Sequence, residues 1–365
     1  MSKFEISVKQ IARETLPRLI DNLVFPNLVY KENIDGSAAA KQGDTVSVRC
    51  PVFLQAEEFD EAEGVTPQYM QKNTIDIRLD HLATVDMQVD AIEAACDFDS
   101  IVKLFIEPAA AALAEKINAE GLELYKDIPY AAGTAGTLPT GLDALANASC
   151  ILDENRVPAG KRCAVWSPKA TAALKQIPAL VNAEKCGSTE ALRTGSIGKV
   201  FGIENYMSQA VCKHEPAFTG TLTLAQDAEW ADAIRVQASA AGTLKHGDLL
   251  KIGDQIVTVT RDVVLSASSA VNVRISPFAN AVSGTAVEVL GAHDANLVFH
   301  PDAFAFITRP LQTPAGVESY VTTYNGISLR VVRGYDMQYK REMLSMDVLY
   351  AFRTIYPELA VRYLT

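Results

Sequence analysis

The sequence predicts an α+β protein that carries a small, separate β-domain inserted into its chain. Three observations indicate this class: one long helical segment around residue 110, alternating strand patterns on both sides of it, and a β-rich stretch of different composition between residues 213 and 290. The length of 365 residues is sufficient for two or three domains.

The composition is that of a globular protein, with 48% hydrophobic and 21% charged residues. The formal net charge of −11 argues against a surface whose main task is to hold DNA or an anionic membrane. No stretch approaches the ~20 apolar residues of a membrane span, and charges interrupt the apolar runs at the N-terminus. We therefore expect a soluble protein made in a reducing cytoplasm.

The cysteines show no C-x-x-C pair and no regular spacing, which indicates reduced thiols rather than a zinc site or a disulfide framework. They are Cys50, Cys96, Cys150, Cys163, Cys186 and Cys212.

The N-terminal part predicts a helix followed by a long arm. Apolar residues recur at helical spacing from Phe4 to Leu23, and Pro17 is expected to split this helix or to start its second piece. The stretch from Pro26 to Val52, PNLVYKENIDGSAAAKQGDTVSVRCPV, holds two short apolar runs around a polar, small-residue centre. Neither run can build a core alone, so our hypothesis is that this arm belongs partly to a neighbouring copy.

Strand-like alternation next predicts a long two-stranded excursion, which begins with Val46 and Val48 and returns with Ile75, Ile77 and Leu79. An isolated hairpin of this length is barely stable in water, so it must lie on something else. Its outer part holds an acidic cluster, which allows three interpretations: a solvated loop tip, a site for a hard cation, or a tongue that meets basic groups of a neighbouring subunit. The cluster consists of Glu57, Glu58, Asp60, Glu61 and Glu63.

The segment from Asp97 to Lys126 gives the strongest helix signal, with an apolar stripe and an alanine run. Pro108 either kinks this helix or falls where its missing N–H is dispensable. Helices and strands then alternate, including a strand at Cys163–Trp166 and another that Gly198 and Gly202 interrupt.

The inserted stretch from 213 to 290 predicts a small barrel or sandwich, because it is rich in β-branched residues and contains two Gly-Asp turns. It either steadies its own chain or joins neighbouring subunits across a two-fold axis. Its turn at Lys245, His246 and Asp248 supplies our candidate contact residues. Three or four antiparallel strands are predicted at the C-terminus.

The sequence shows no recognisable catalytic centre. The five histidines lack metal-ligand spacing, and neither a G-x-S-x-G elbow nor a complete P-loop is present. We predict a non-enzymatic protein without cofactor or metal.

The order of these parts resembles the major capsid proteins of tailed bacteriophages with the HK97-like fold, and within them the P22 coat protein group, which carries an inserted β-domain. Three stretches carry the likeness. The arm NLVFPNLVYKENIDGSAAAKQGDTVSVRCP resembles the lead into the extended loop, SIVKLFIEPAAAALAEKINAEGLELY resembles the spine helix, and GKVFGIENYMSQAV with NLVFHPDAFAFITRPL resembles the axial domain.

The resemblance implies five parts: an N-arm at 1–44, an extended loop at 45–80, a peripheral domain at 81–136 and 327–365 with the spine helix 97–126, an axial domain at 137–212 and 291–326, and the inserted domain at 213–290. It further implies self-assembly into hexamers and pentamers of an icosahedral head in the virion, formed in the host bacterial cytoplasm. Implied partners are a scaffolding protein, a portal, and double-stranded DNA packaged on the inner face without sequence-specific binding; no membrane is involved. The lysine–asparagine cross-link of the fold's type member cannot be placed in this sequence, so a non-covalent shell is expected.

Three alternatives stay open at this point. The first is the shell of an encapsulin-type nanocompartment, which encloses an enzyme rather than DNA. The second is an α/β enzyme with a β-domain, which would need a pocket with convergent polar groups. The third is another virion part, such as a tail-tube or decoration protein.

Overall fold

In the computed structural model, the residues described are 7–31, 40–49, 74–89, 102–182, 193–267, 269–336 and 341–365. The chain divides into two compact units. The first comprises Met1–Pro17, Lys31–Ala109 and Phe306–Ile355, and the second comprises Arg18–Tyr30, Ala110–Ala305 and Tyr356–Thr365.

The described α-helices with both ends defined are α1 (Val8–Asn22), α2 (Phe25–Leu28), α3 (Glu107–Leu122), α4 (Asp143–Glu154), α5 (Pro168–Leu174) and α6 (Pro178–Val181). The strands are β1 (Tyr30–Lys31), β2 (Thr45–Arg49), β3 (Thr74–Arg78), β4 (His81–Val89), β5 (Ala131–Gly133), β6 (Arg162–Trp166), β7 (Lys199–Val200), β8 (Ile203–Met207), β9 (Lys213–His214), β10 (Leu222–Leu224), β11 (Ala228–Ala238), β12 (Gly242–Leu244), β13 (Leu249–Ile252), β14 (Gln255–Val259), β15 (Val263–Leu265), β16 (Val271–Ala281), β17 (Ala286–Val289), β18 (His293–Phe299), β19 (Phe304–Arg309), β20 (Glu318–Tyr324), β21 (Ile327–Asp336), β22 (Arg341–Thr354) and β23 (Ala360–Leu364).

Helix α1 runs without interruption through Pro17, so the predicted split was wrong. Proline removes one intrahelical hydrogen bond and crowds the carbonyl four residues earlier. The helix persists because its apolar stripe is buried on both sides of the proline, with Ala12 and Leu19 fully inaccessible to solvent.

The first unit contains a sheet in the order β1-β19-β22-β21-β20, with β4 paired to β22. Strands β20 and β21 form a hairpin whose turn residues, Asn325 and Gly326, both have positive φ angles of 51° and 74°. This is the backbone geometry of a type I′ turn, which suits Asn-Gly. One face of the hairpin is buried through Ile327, Leu329 and Val331.

The base of the predicted extended loop is a two-stranded ribbon of β2 and β3, in antiparallel register from Thr45 opposite Arg78 to Arg49 opposite Thr74. Among the described strands, β2 and β3 pair only with each other. The outer part of this excursion, with the acidic cluster, lies outside the described residues.

The second unit is built on a sheet in the order β5-β23-β18-β6-β8-β7, with β9 paired to β18. Every residue of β6 and of β23 is buried, as expected for central strands covered on both faces. The strand predicted at Cys163–Trp166 is thus present as β6. The other predicted strand divides into β7 and β8, separated by a turn at Gly202, whose φ is 79°.

The inserted stretch forms a closed barrel in the order β10-β11-β16-β14-β13-β17, and β12 and β15 form a separate two-stranded sheet beside it. The barrel has its own apolar core, which includes Ile234, Val236, Leu250, Val259 and Val273. The predicted inserted β-domain is therefore confirmed as a barrel rather than a sandwich.

The long helix changes geometry along its length. Val102–Ile106 is a π-helix, α3 follows, and a 3₁₀ turn at Glu123–Asp127 ends the run. Pro108 lies at the change from π to α geometry. Because proline has no N–H, the α-helical bond it would donate is missing there, and a wider π turn precedes it.

The described parts of the N-terminal arm lie on their own chain. In the second unit Phe25 packs its ring at 5.5 Å from Phe299 and 5.4 Å from Phe304, and in the first unit Ala40 pairs with Leu311. The hypothesis that the arm from Pro26 to Val52 belongs partly to a neighbouring copy stays a prediction, and its stretch 32–39 lies outside the described residues. No helix within the described ranges is long and apolar enough to cross a membrane.

Candidate functional site: the joint cluster at the root of the barrel

Five buried polar side chains of the second unit meet where the barrel joins the seven-stranded sheet. They are Tyr125, His214, Asp248, His293 and Arg362, named here the joint cluster. Asp248 and Arg362 are completely inaccessible to solvent. Aspartate and arginine are rarely buried to this degree unless they are paired, so the cluster marks a specific arrangement of charges.

Two histidines bracket the barrel in the sequence and face each other in the fold. His214 lies on β9 just before the barrel, and His293 begins β18 just after it. The two residues are directly opposite in the antiparallel pairing of these strands, and their ring centroids are 5.1 Å apart. The chain therefore leaves and re-enters the sheet at one point, which makes this point the attachment of the whole inserted domain.

The tight turn between β12 and β13 delivers Asp248 into the cluster. The Lys245 N–H donates to Asp248 Oδ2 at 2.8 Å, and the Asp248 N–H donates to the Lys245 carbonyl at 3.1 Å. Gly247 has a φ of 92°, and a Cβ at this position would come within 3.0 Å of the Lys126 Cα atom. Only glycine fits a turn that lies this close to the end of the long helix.

His214 bridges the long helix and the barrel. Its Nδ1 lies 3.0 Å from the Tyr125 hydroxyl, and its Nε2 lies 2.9 Å from Asp248 Oδ1. An Nε2–H tautomer satisfies both contacts, because Nε2 then donates to the carboxylate and Nδ1 accepts from the phenol. Burial raises the pKa of Tyr125, so the phenol keeps the proton that it donates.

Arg362, on β23, holds the other side of the cluster. Its Nη1 donates to the Gly247 carbonyl at 2.7 Å, its Nη2 donates to His293 Nε2 at 2.6 Å, and its guanidinium lies 4.5 Å from the ring centroid of Tyr125. Burial lowers the pKa of Arg362 to about 10, which still leaves the group charged at neutral pH. Its Nε finds no hydrogen-bond partner among the described residues.

His293 is held as a neutral base. Its Nδ1 lies 2.8 Å from the Gly291 carbonyl and must carry the proton, so that Nε2 can accept from Arg362. Burial, together with the nearby guanidinium, lowers the pKa of His293 to about 4. The cluster thus combines a buried guanidinium and a buried carboxyl side chain with two imidazoles and a phenol that distribute hydrogen bonds between them.

This geometry can fix the barrel in place but offers no reaction centre. Each polar group other than Arg362 Nε is satisfied by a neighbour, and nothing in the cluster activates a nucleophile. Within the described ranges, no group of three or more His, Cys, Asp or Glu side chains is placed to hold a metal ion. Further attachments lie beside the cluster, where Thr258 Oγ1 donates to the Ile128 carbonyl at 3.1 Å and His246 Nε2 lies 3.2 Å from Asp127 Oδ1.

The predicted contact residues divide into three groups. Glu57, Glu58, Asp60, Glu61 and Glu63 lie outside the described residues. Lys245 is exposed and His246 is half-buried, so both keep surface that a neighbour can reach. The structure corrects the prediction that Asp248 contacts another subunit. Asp248 is completely buried within its own chain and bonded to His214, so it has no surface that another subunit can reach.

Sequence reasoning did not find Tyr125, His293 or Arg362 as members of one cluster. They lie 69 positions (His293 to Arg362) to 237 positions (Tyr125 to Arg362) apart, and no spacing rule connects them. A signal in the sequence that could have pointed to the joint cluster was the pair of histidines, His214 and His293, near the two ends of the inserted stretch.

We predict that acid weakens the second unit through His293. Its pKa is lowered in the folded state, so between pH 6.5 and about 4 the unfolded chain binds the proton more readily, and stability falls as pH falls through this range. The free energy of unfolding falls by roughly 3 kcal/mol once the pH is well below both pKa values. Urea unfolding of the unassembled chain at pH 7 and pH 4.5 measures it.

The comparison variant for this test is His293→Gln, whose side-chain oxygen can still accept from Arg362. Burial also lowers the pKa of His300, so some acid sensitivity remains in the variant. The difference in slope between the two proteins isolates His293, and equal slopes would contradict the prediction.

No protein-family model matches the sequence, and no curated protein is detectably similar to it. Solved structures do match. A chain of Mycobacterium phage Che8 is 17% identical, with 93% of this chain and 90% of that chain covered and a TM-score of 0.50. A chain of the capsid structure of cyanophage P-SCSP1u is 14% identical (94% and 88% covered, TM-score 0.48), and one from the mature capsid of bacteriophage PhiM1 is 11% identical (94% and 86% covered, TM-score 0.44).

The match to the phage Che8 chain carries the fold assignment, since it extends over nearly the whole of both chains. The comparison therefore confirms the HK97-like α+β fold that the sequence predicts. The finer resemblance to the P22 coat protein group stays a prediction.

Proposed function

We propose that this chain is the major capsid protein of a tailed bacteriophage, which assembles into hexamers and pentamers that form an icosahedral head around double-stranded DNA. The observation that carries the proposal is the fold shared with a phage chain over 93% of this chain and 90% of that one. In this proposal residues 1–44 are the N-arm, 45–80 the extended loop and 213–290 an inserted domain that faces outward.

The ribbon of β2 and β3 supports a role in assembly. Among the described strands this ribbon pairs with no other, and although Val48 and Ile77 at its base are buried, we infer that the rest of the loop gains stability from a neighbouring subunit. Many such contacts, each modest, add up when they are repeated around a closed shell.

The charge supports a container rather than a nucleic-acid-binding protein. A net charge of −11 on the chain disfavours tight binding of packaged DNA through its phosphates, and we propose that contact with the genome is without sequence specificity. A scaffolding protein and a portal complete the proposed set of partners, and assembly takes place in the host bacterial cytoplasm.

We expect the purified chain, concentrated at neutral pH, to form closed or open polyhedral particles visible by negative-stain electron microscopy. Sedimentation velocity then shows material far larger than the 39.4 kDa subunit. A single monomeric species under all conditions of salt and concentration would contradict the proposal.

The contents of particles isolated from phage-producing cells separate the proposal from its main alternative. DNA inside the particles supports a phage head, whereas an enzyme cargo without nucleic acid supports a nanocompartment shell.

A further inference from the structure

Strand β20 is the outer edge of the six-stranded sheet in the first unit. It pairs with β21 on one side, and no strand of the described residues pairs with its other side. A free edge of this kind presents a row of backbone N–H and C=O groups that can template another strand.

The register of the hairpin identifies the residues that face outward. Tyr324 and Ile327 close the two-residue turn, and the closing pair of a type I′ hairpin is hydrogen bonded. Hydrogen-bonded pairs recur at every second residue, so Thr322 and Tyr320 also bond to β21. The intervening residues Ser319, Val321 and Thr323 therefore point their backbone N–H and C=O groups away from β21.

A side-chain contact supports this assignment. The hydroxyls of Thr323 and Ser328 lie 2.9 Å apart, and these two residues are directly opposite in the register. Side chains approach most closely at the non-hydrogen-bonded pairs of an antiparallel ladder.

The composition of β20 makes this edge unusual. Five of its seven residues, YVTTY, are β-branched or aromatic strand formers, and its single charge, Glu318, lies at one end. It has no lysine, no proline and no internal charge, which are the features that commonly block edge-to-edge pairing. Three residues of β20, Glu318, Thr323 and Tyr324, are exposed and the other four are half-buried, so the side chains also leave room at this edge.

We propose that the free edge of β20 is a subunit interface, in which two copies of this chain pair β20 with β20 in antiparallel orientation about a two-fold axis at Val321. The inference rests on the proposed function and names a surface through which it operates. A symmetric contact of this kind uses the same patch on both subunits, as two-fold interfaces do.

Self-complementarity argues for a second copy as the occupant. With Val321 opposite Val321 of the second copy, Ser319 lies opposite Thr323, so each of the three outward-facing residues finds a partner that is also outward-facing. Each such pair exchanges two backbone hydrogen bonds. A shift by two residues would leave one of the three without a partner.

Charge complementarity points the same way. In this register Glu318 lies opposite Tyr324, at the two ends of the paired strands, so no two like charges are opposed. The centre of the contact holds only Tyr, Val and Thr side chains, which pair well across antiparallel strands.

Val321→Pro tests the proposal, because it removes an N–H that the hairpin itself does not use. Proline is tolerated in an edge strand when its position faces outward. Because both copies carry the proline, each contact loses the two bonds of the Val321 pair, which lowers its association constant roughly tenfold to a hundredfold. We expect the threshold concentration for particle formation to rise accordingly, while circular dichroism and melting of the subunit stay unchanged.

The matched control is Val321→Thr, which keeps the β-branched shape and the backbone N–H. It should assemble like the unmodified chain. Assembly of Val321→Pro at the unmodified threshold would overturn the inference and leave the proposed function standing, whereas failure of the unmodified chain to assemble at all would count against the function itself.

A cross-link reads the register directly and does not depend on assembly. In the proposed pairing the two Val321 Cα atoms are about 5.5 Å apart, within disulfide range. Val321→Cys should therefore give covalent dimers on mild oxidation of the concentrated chain. Two Thr322 residues are diagonal neighbours roughly 7–8 Å apart, so Thr322→Cys should give no more dimer than the unmodified chain. Equal yields from the two variants would overturn the register.

Discussion

Replacing residues 49–74 by Asn-Gly abolishes particle formation and leaves the subunit folded. This is the expected result if the outer part of the extended loop supplies contacts to neighbouring subunits. Because shell closure depends on many such contacts acting together, the loss of one contact type from every subunit is multiplied over the particle. Negative-stain microscopy and sedimentation velocity measure the loss.

The register of the ribbon determines where the chain can be shortened. The Leu79 N–H donates to the Asp44 carbonyl at 2.9 Å, so hydrogen-bonded pairs recur from there and include Val48 with Ile75. A two-residue type I′ turn closes a hydrogen-bonded pair, and Asn-Gly is the sequence that such a turn favours. Joining Val48 to Ile75 in this way keeps four of the five residue pairs of the described ribbon.

A second variant separates the shape of the loop from its charge. Neutralising the acidic cluster Glu57, Glu58, Asp60, Glu61 and Glu63 with the corresponding amides keeps the full length of the chain. If the cluster meets basic groups of a neighbour, this variant assembles more weakly and loses the salt dependence of assembly. Normal particles from the chain in which Asn-Gly replaces residues 49–74 would contradict the hypothesis that the extended loop contacts neighbouring subunits.

Arg362→Met lowers the free energy of unfolding of the second unit by roughly 1–3 kcal/mol, the cost of leaving a buried hydrogen-bond acceptor without its donor. Methionine fills the volume of the arginine stem, but the carbonyl of Gly247 and Nε2 of His293 lose their donor. Asp248 then stays buried without the nearby cation. Urea unfolding of the unassembled chain measures the loss.

The double variant Arg362→Met with Asp248→Asn shows whether charge is the cause. Removing both charges should recover part of the loss, giving a coupling of roughly 0.5–3 kcal/mol in the double-mutant cycle.

Hydrogen exchange adds a spatial test. Because the barrel has its own apolar core, amides of β11 and β16 should keep their protection while those around the turn at Gly247 lose it. Strict additivity of the two substitutions would contradict a charge-based role for the cluster.

Local signals in the sequence determined most of the elements. Alternating β-branched residues and Gly-Asp turns predicted the barrel. The apolar run at Cys163–Trp166 predicted the central strand there. Two segments with alternating apolar residues predicted the paired strands of the ribbon, β2 and β3. These features depend on period-two patterns and turn residues, which act over a few positions. The break at Pro17 was wrong because packing of the apolar stripe along α1 outweighed the local effect of proline.

The tertiary structure alone decided how distant polar residues combine. Asp248 was expected at the surface because it lies in a polar turn, yet the turn faces the end of the long helix and the aspartate is buried beside His214. Tyr125, His293 and Arg362 come from three elements whose side chains meet only after the seven-stranded sheet has formed. The sequence by itself therefore determined which elements exist and in what order, since propensity and periodicity act locally. Which charges are buried together, and which of the described strands pair with each other, depend on long-range contacts, for which a single sequence carries no local signal.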